Sequence, residues 1–209
     1  MIDKKVAKGL LDTKAVTLSV DEPYTWASGL KSPIYCDNRI TLSYPETRSL
    51  IAHGLKDLIL KEFKDVDAIV GVATGGLPQA ALVADLLELP LAYVRPQAKD
   101  HGRNKQVEGF LEEGSKVVMI EDLISTGGSV LRAVEAVKED GYDVLGVAAV
   151  FTYELQKAVD NFKDVKLVTL SNYSALIEEA VDSNYVSKDD LNTLRSWREN
   201  PEGYPPEKV

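Results

Sequence analysis

Glu121 and Asp122 stand side by side after the apolar run Val117-Val118-Met119-Ile120 and ahead of Leu123-Ile124-Ser125-Thr126-Gly127-Gly128-Ser129. Ionised carboxylates only accept hydrogen bonds, so an adjacent pair suits hydroxyl groups or a cation. The turn that follows suits the opposite partner. Val130, Ala133, Val134 and Val137 fall on one face of a helix, so the turn ends at a helix N-terminus. Free N–H groups and the positive end of the helix dipole collect there, and the hydroxyls of Ser125, Thr126 and Ser129 add donors fit for a phosphate dianion. Gly127 and Gly128 allow close backbone approach. A ribose 5-phosphate meets both demands, with its phosphate in the turn and its ring hydroxyls on the acids.

Two further groups can handle anions. Thr74-Gly75-Gly76 follows the apolar run Ala68 to Ala73, the form of a backbone nest closed by Pro78. The chain carries a formal charge of −9, yet Arg95 to Val107 holds Arg95, Lys99, Arg103 and Lys105 against Asp100, with His101 able to add charge near neutral pH. One basic island on an acidic protein is aimed at a small anion. The overall charge argues against nucleic acid and anionic membrane as partners.

The elements that must position these groups alternate. Apolar runs at Ala68 to Ala73, Leu91 to Val94, Val117 to Ile120, Val144 to Phe151 and Leu167 to Leu170 are separated by helical patterns at Leu77 to Leu87 and Ser129 to Glu139, the latter closed by Gly141. This order predicts an α/β fold, a mostly parallel sheet flanked by helices. Residues 1 to 11 read as a helix and Ala15 to Val20 as a short strand. Ser43-Tyr44-Pro45-Glu46 has capping-box form ahead of a helix whose apolar face holds Leu50, Ile51, Gly54, Leu55, Leu58 and Ile59, with His53 at its edge. Gly102 to Ser115 reads as a hairpin or lid, Ser174 to Val181 and Asp189 to Arg198 as two helices, and Asn200 to Val209 as a disordered or draped tail. Ser187-Lys188-Asp189-Asp190 is the start signal of the second helix.

With 209 residues the chain fits one domain, divided as an N-terminal hood of about 1–45, a core of 46–170 and a C-terminal helical extension of 171–209. No apolar run approaches the roughly 20 residues of a membrane span, and the start Met1-Ile2-Asp3-Lys4-Lys5 lacks a signal peptide's apolar core, so a cytoplasmic protein is expected. The single cysteine, Cys36, excludes an intrachain disulfide and a multi-cysteine metal site. A Walker A lysine and a G-x-G-x-x-G run are both missing, which removes the main support for kinase and dinucleotide readings.

The segment Glu121 to Ser129 resembles the phosphoribosyl pyrophosphate (PRPP) motif of type I phosphoribosyltransferases, in the variant of the orotate branch of that family. Three other blocks agree in order. Trp26 to Asp37 is similar to the branch's N-terminal Ser-Gly-x-Lys-Ser-Pro segment, Gly71 to Pro78 to its pyrophosphate loop, and Tyr93 to Gly102 to its catalytic loop. The resemblance implies the fold of that family, transfer of a 5-phosphoribosyl group from PRPP to orotate, Mg²⁺ as cofactor, and a homodimer whose loop is shared between subunits. It implies PRPP contacts from Thr74, Gly75, Arg95, Lys99, His101 and the whole of Glu121 to Ser129, with Lys99 and Asp122 catalytic. Orotate contacts fall on Lys31, Tyr35 and Ser125, and no dedicated protein metal site is implied. Other members carry lysines at the positions of Ala27, Gly75 and Pro96, and an arginine aligns loosely with Tyr153. Transfer to another base and a non-catalytic PRPP-sensing regulator are the alternative readings.

Overall fold

The middle strands are apolar along their length because the sheet they form is covered on both faces. The computed structural model describes residues 1–96 and 106–204. In chain order the helices are α1 (Ile2–Asp12), α2 (Pro45–Glu62), α3 (Leu77–Leu87), α4 (Gly128–Glu139), α5 (Gln156–Asn161), α6 (Tyr173–Asp182) and α7 (Asp190–Glu199). The strands are β1 (Val16–Leu18), β2 (Tyr24–Thr25), β3 (Lys31–Ser32), β4 (Ile34–Cys36), β5 (Ala68–Val72), β6 (Leu91–Val94), β7 (Val107–Glu108), β8 (Lys116–Ile124), β9 (Asp143–Thr152) and β10 (Leu167–Asn172).

The central sheet runs β10-β9-β8-β5-β6-β7, parallel throughout except for the edge pair β6–β7. The chain moves outward from β5 to one edge, returns to β8 beside β5, and moves outward to the other edge. That reversal makes a topological switch point between the C-terminal ends of β5 and β8, where a crevice opens in sheets of this kind. One face packs Ile69, Val118, Ile120, Ala148 and Leu170 against α1, α2, α3 and α6. The other packs Val70, Val117, Met119, Val147 and Ala149 against α4 and α5.

The N-terminal segment is tied to this core at several points. β1 pairs antiparallel with β4, and β2 with β3. Trp197 Nε1 donates to the Lys31 carbonyl at 3.3 Å, and the Tyr204 hydroxyl to that of Val20 at 3.0 Å.

Several expectations need correction. β8 does not stop at Ile120 but continues through both acids to Ile124, held by β9. Ser43 forms no capping box, since it ends a 3₁₀ turn over Asn38–Ser43 and Tyr44 makes no side-chain cap. The reciprocal box forms instead at Ser187, whose N–H donates to Asp190 Oδ2 at 3.0 Å while the Asp190 N–H donates to Ser187 Oγ at 3.2 Å. Of the expected hairpin or lid, the hairpin holds from Gln106 onward and the chain there is packed: β7 pairs antiparallel with β6, the Val107 N–H donates to Asp140 Oδ2 at 3.1 Å, and Leu111 is buried. Asn200 to Tyr204 is ordered too, as a 3₁₀ turn followed by the buried Tyr204.

Candidate functional site

Two turns meet at the switch point. The first, after β5, carries Thr74, Gly75 and Gly76, and its Gly76 N–H is spent on the Val72 carbonyl at 3.0 Å. That leaves Thr74 exposed and Gly75 half-buried at the crevice. Both glycines are needed for contact with β8. A Cβ on Gly76 would strike the Ile120 carbonyl oxygen, and one on Gly75 would strike the Asp122 carboxylate. The Gly75 turn and Asp122 therefore face each other directly.

The second turn follows β8. Gly127 is in the left-handed region at φ 80° and precedes α4, whose first residues are Gly128 and Ser129. Asn161 Nδ2 donates to the Thr126 carbonyl at 2.8 Å, so α5 supports the turn from below. Ser125 and Thr126 are half-buried and Ser129 is exposed, while Ile124 is buried in the core under α4 and Leu123 packs against the opposite core. The two glycines differ in the space around them. A Cβ on Gly128 would meet nothing closer than the Arg132 guanidinium at 3.7 Å, whereas a Cβ on Gly127 would run into the Phe162 ring.

Side chains at consecutive strand positions point to opposite faces. Glu121 nevertheless folds back along the strand, and its Oε1 accepts the Asp122 N–H at 2.9 Å. Burial, then the hydrogen bond and charge of Asp122, push the Glu121 carboxyl up to about 9. The two acids are thus not equivalent. Glu121 keeps its proton at neutral pH.

The other described residues of the expected site have contacts of their own. Arg95 Nη1 lies 3.6 Å from Glu108 Oε1, and its N–H donates to the Gln106 carbonyl at 3.0 Å. It lines a cavity of about 410 Å³ with Ala73, Pro96, Gln106, Ser129 and Arg132, between the two turns and β6. Lys99 and His101 lie outside the described residues. Lys31 Nζ donates to Thr25 Oγ1 at 2.6 Å, and the half-exposed Tyr35 ring packs 5.7 Å from Tyr24. Among the described residues no group of three or more His, Cys, Asp and Glu side chains is placed to hold a metal ion.

Four residues near the acids have no site role assigned from the sequence, although Tyr153 is noted where other members carry an arginine. Asn38 Nδ2 donates to the Asp122 carbonyl at 2.6 Å. Arg39 holds Asp37 through two bonds of 2.7 and 2.8 Å, which raise the Arg39 pKa, with a smaller contribution from the Asp122 charge. The Cys36 thiol is pushed up by burial and by the charges of Asp122 and Asp37. Tyr153 is buried, with its ring 5.0 Å from Trp26 and 6.0 Å from Trp197, and its phenol is raised by burial with smaller effects from Cys36, Tyr35 and Asp122. No local motif marks these four. Only chain topology brings them to Asp122.

Comparison with known proteins agrees with this architecture. The phosphoribosyl transferase domain family matches residues 45–184. Orotate phosphoribosyltransferase of Enterococcus faecalis is 56% identical over 205 residues, covering 97% of this chain and 98% of that one. The chain belongs to the orotate phosphoribosyltransferase family. The relative from Streptococcus mutans is 57% identical, covering 95% of this chain and 96% of its own. The crystal structure of orotate phosphoribosyltransferase from Aeropyrum pernix superimposes with a TM-score of 0.74 at 30% identity, covering 87% of this chain and 99% of that one. The fold expected from the sequence is therefore the family's own, with the parallel sheet between two helical layers.

The state of the acid pair in this family member has a measurable consequence. A Glu whose folded pKa lies above its unfolded value keeps its contribution to stability below about pH 4.5. It loses that contribution as pH rises toward about 9, because the unfolded chain releases the proton first. Glu121→Gln mimics the protonated acid and removes the loss. The melting temperature of the variant relative to wild type, without ligand, should therefore climb steadily from pH 5 to pH 8. A difference that stays flat over that range means Glu121 is ionised throughout.

Proposed function

We propose that this protein transfers the 5-phosphoribosyl group of PRPP to N1 of orotate, forming orotidine 5′-monophosphate and pyrophosphate in pyrimidine biosynthesis. The observation that carries the reading is the meeting of two turns at one switch point, the Thr74–Gly76 turn against the Asp122 carboxylate and the phosphate-type turn at the start of α4. As the bond between ribose C1 and the pyrophosphate oxygen lengthens, the ring gains positive charge and the leaving group negative charge. Asp122 takes the ribose hydroxyls and lies on the positive side. Glu121, carrying its proton, adds a donor or acceptor to the same hydroxyls.

The 5-phosphate rests on Ser125 to Ser129, and the pyrophosphate on Thr74, Gly75, Arg95, Lys99 and His101. Orotate lies against Lys31, Tyr35 and Ser125. Mg²⁺ would be held mainly by the phosphate oxygens of the substrate and by water, with no dedicated protein site. When bound, the ion neutralises charge on the leaving pyrophosphate. We place the protein in the cytoplasm, consistent with the observation that among the described residues no helix is long and apolar enough to cross a membrane. Nucleic acid and membrane are not among its partners in this reading.

The test is direct. Incubation with PRPP, Mg²⁺ and a panel of pyrimidine and purine bases should yield orotidine 5′-monophosphate alone. A purine nucleotide as the main product would reassign the acceptor, and no nucleotide with PRPP still bound would indicate a sensor.

The reading includes a homodimer in which Lys99 serves the neighbouring subunit while Asp122 serves its own. Mixing inactive Lys99→Ala and Asp122→Asn protomers should then restore activity. With random exchange half the dimers are mixed and each holds one intact site, so recovery should reach about a quarter of wild type. No recovery after verified exchange places the lysine in its own subunit's site.

A further inference from the structure

β5 and β8 part before the acids. Their pairing ends at Gly71 with Ile120, yet β8 continues to Ile124 with only β9 at its side, through Glu121–Ala149, Leu123–Phe151 and Ile124–Thr152. The β8 edge that faced β5 therefore has no strand partner beyond Ile120 and meets the Gly75–Gly76 turn instead, and an unpaired buried carbonyl there is costly. Asn38 closes it. Its Nδ2 donates to the Asp122 carbonyl at 2.6 Å, in place of the strand that has ended.

Asn38 is itself firmly held. It is 5% exposed, its carbonyl accepts Thr41 Oγ1 at 2.6 Å, and its Oδ1 accepts the Cys36 thiol at 3.5 Å. It lies two residues beyond Cys36, the end of the strand that carries Tyr35, with Asp37 between them.

We infer that Asn38 is a positioning residue that fixes the main chain of Asp122 and links the acceptor-side strand β4 to the acid that faces the ribose. The inference rests on the proposed role of Asp122. Small displacements of a catalytic group are expensive, with about 1 Å costing on the order of 10²-fold in rate. The bond is aimed at the backbone, so its loss should move the carboxylate without altering the phosphate turn.

Asn38→Ala should lower kcat by about 10- to 100-fold while the dissociation constant for PRPP, measured by calorimetry, stays within about twofold. Thr41→Val removes a hydrogen bond of the same 3₁₀ turn but leaves the Asp122 contact, and should keep kcat within about threefold at a comparable fall in melting temperature. Asn38→Asp preserves volume and turns the donor into an acceptor facing a carbonyl, so it should show the same pattern should the alanine variant fold poorly.

Hydrogen exchange gives a readout independent of turnover. Amides of residues 121–124 should exchange faster in Asn38→Ala than in Thr41→Val. Unchanged kcat in an active protein, an equal loss in Thr41→Val, a parallel loss of PRPP affinity, or equal exchange in the two variants each overturns the inference. Wild-type protein that forms no orotidine 5′-monophosphate would overturn the functional reading instead, and the exchange comparison would still decide the role of Asn38.

Discussion

Asp122→Asn should reduce turnover by about 10²-fold or more, the scale of removing a main electrostatic group from a site where charge develops. Asn keeps the shape and the backbone bond to Asn38, so the substitution removes charge alone. The geometry makes Asp122 the sharper of the two acids. Its carboxylate faces the Gly75 turn, and beside it Glu121 is already neutral near pH 7 because burial and Asp122 itself hold its proton. The oxocarbenium character of the ribose is then opposed by one negative charge, and Glu121→Gln should cost clearly less than Asp122→Asn. Steady-state kinetics on the two purified variants decide the point. Wild-type turnover in Asp122→Asn removes the role, and a larger loss in Glu121→Gln reverses the assignments.

The core of the fold was legible because parallel strands covered on both faces read as unbroken apolar runs, and β5, β6, β9 and β10 lie where those runs lie. Helices α3 and α4 were legible for the same kind of reason, since their buried faces repeat at helical spacing. Polar strands were not. β8 continues through Glu121 and Asp122 because β9 still pairs with it, a contact that local composition does not announce. α5 is six residues long and buries only Ala158 within its span, too little to make a period. Tyr204 lies in a Pro- and Glu-rich tail and is held by packing into the main core together with its bond to the distant Val20 carbonyl.

The site divides along the same line. The two glycine turns are contiguous motifs and were visible, whereas Asn38 and Tyr153 reach Asp122 only through the placement of β4 and β9. The structure also separates Gly127 from Gly128, which composition treats alike. Gly127 is required by its left-handed backbone and by the Phe162 ring, whereas Gly128 has open space around it.

That separation yields the second large effect. Gly127→Val would force a β-branched side chain into left-handed backbone and into the Phe162 ring, so it should lower the melting temperature and lose PRPP binding together. Gly128→Val meets no such obstacle, because its Cβ finds only the end of Arg132 at 3.7 Å and the backbone there is ordinary helix. It should keep the wild-type melting temperature to within a few degrees while obstructing the approach of a phosphate to the N–H groups at the start of α4. A loss of about 10²-fold or more in PRPP affinity is expected, equivalent to roughly 2.8 kcal/mol. Calorimetry with PRPP and Mg²⁺, run beside thermal melts of both variants, separates the two effects. Wild-type affinity in a stably folded Gly128→Val protein would mean that the phosphate does not sit on this helix, and the turn after β8 would then need another ligand.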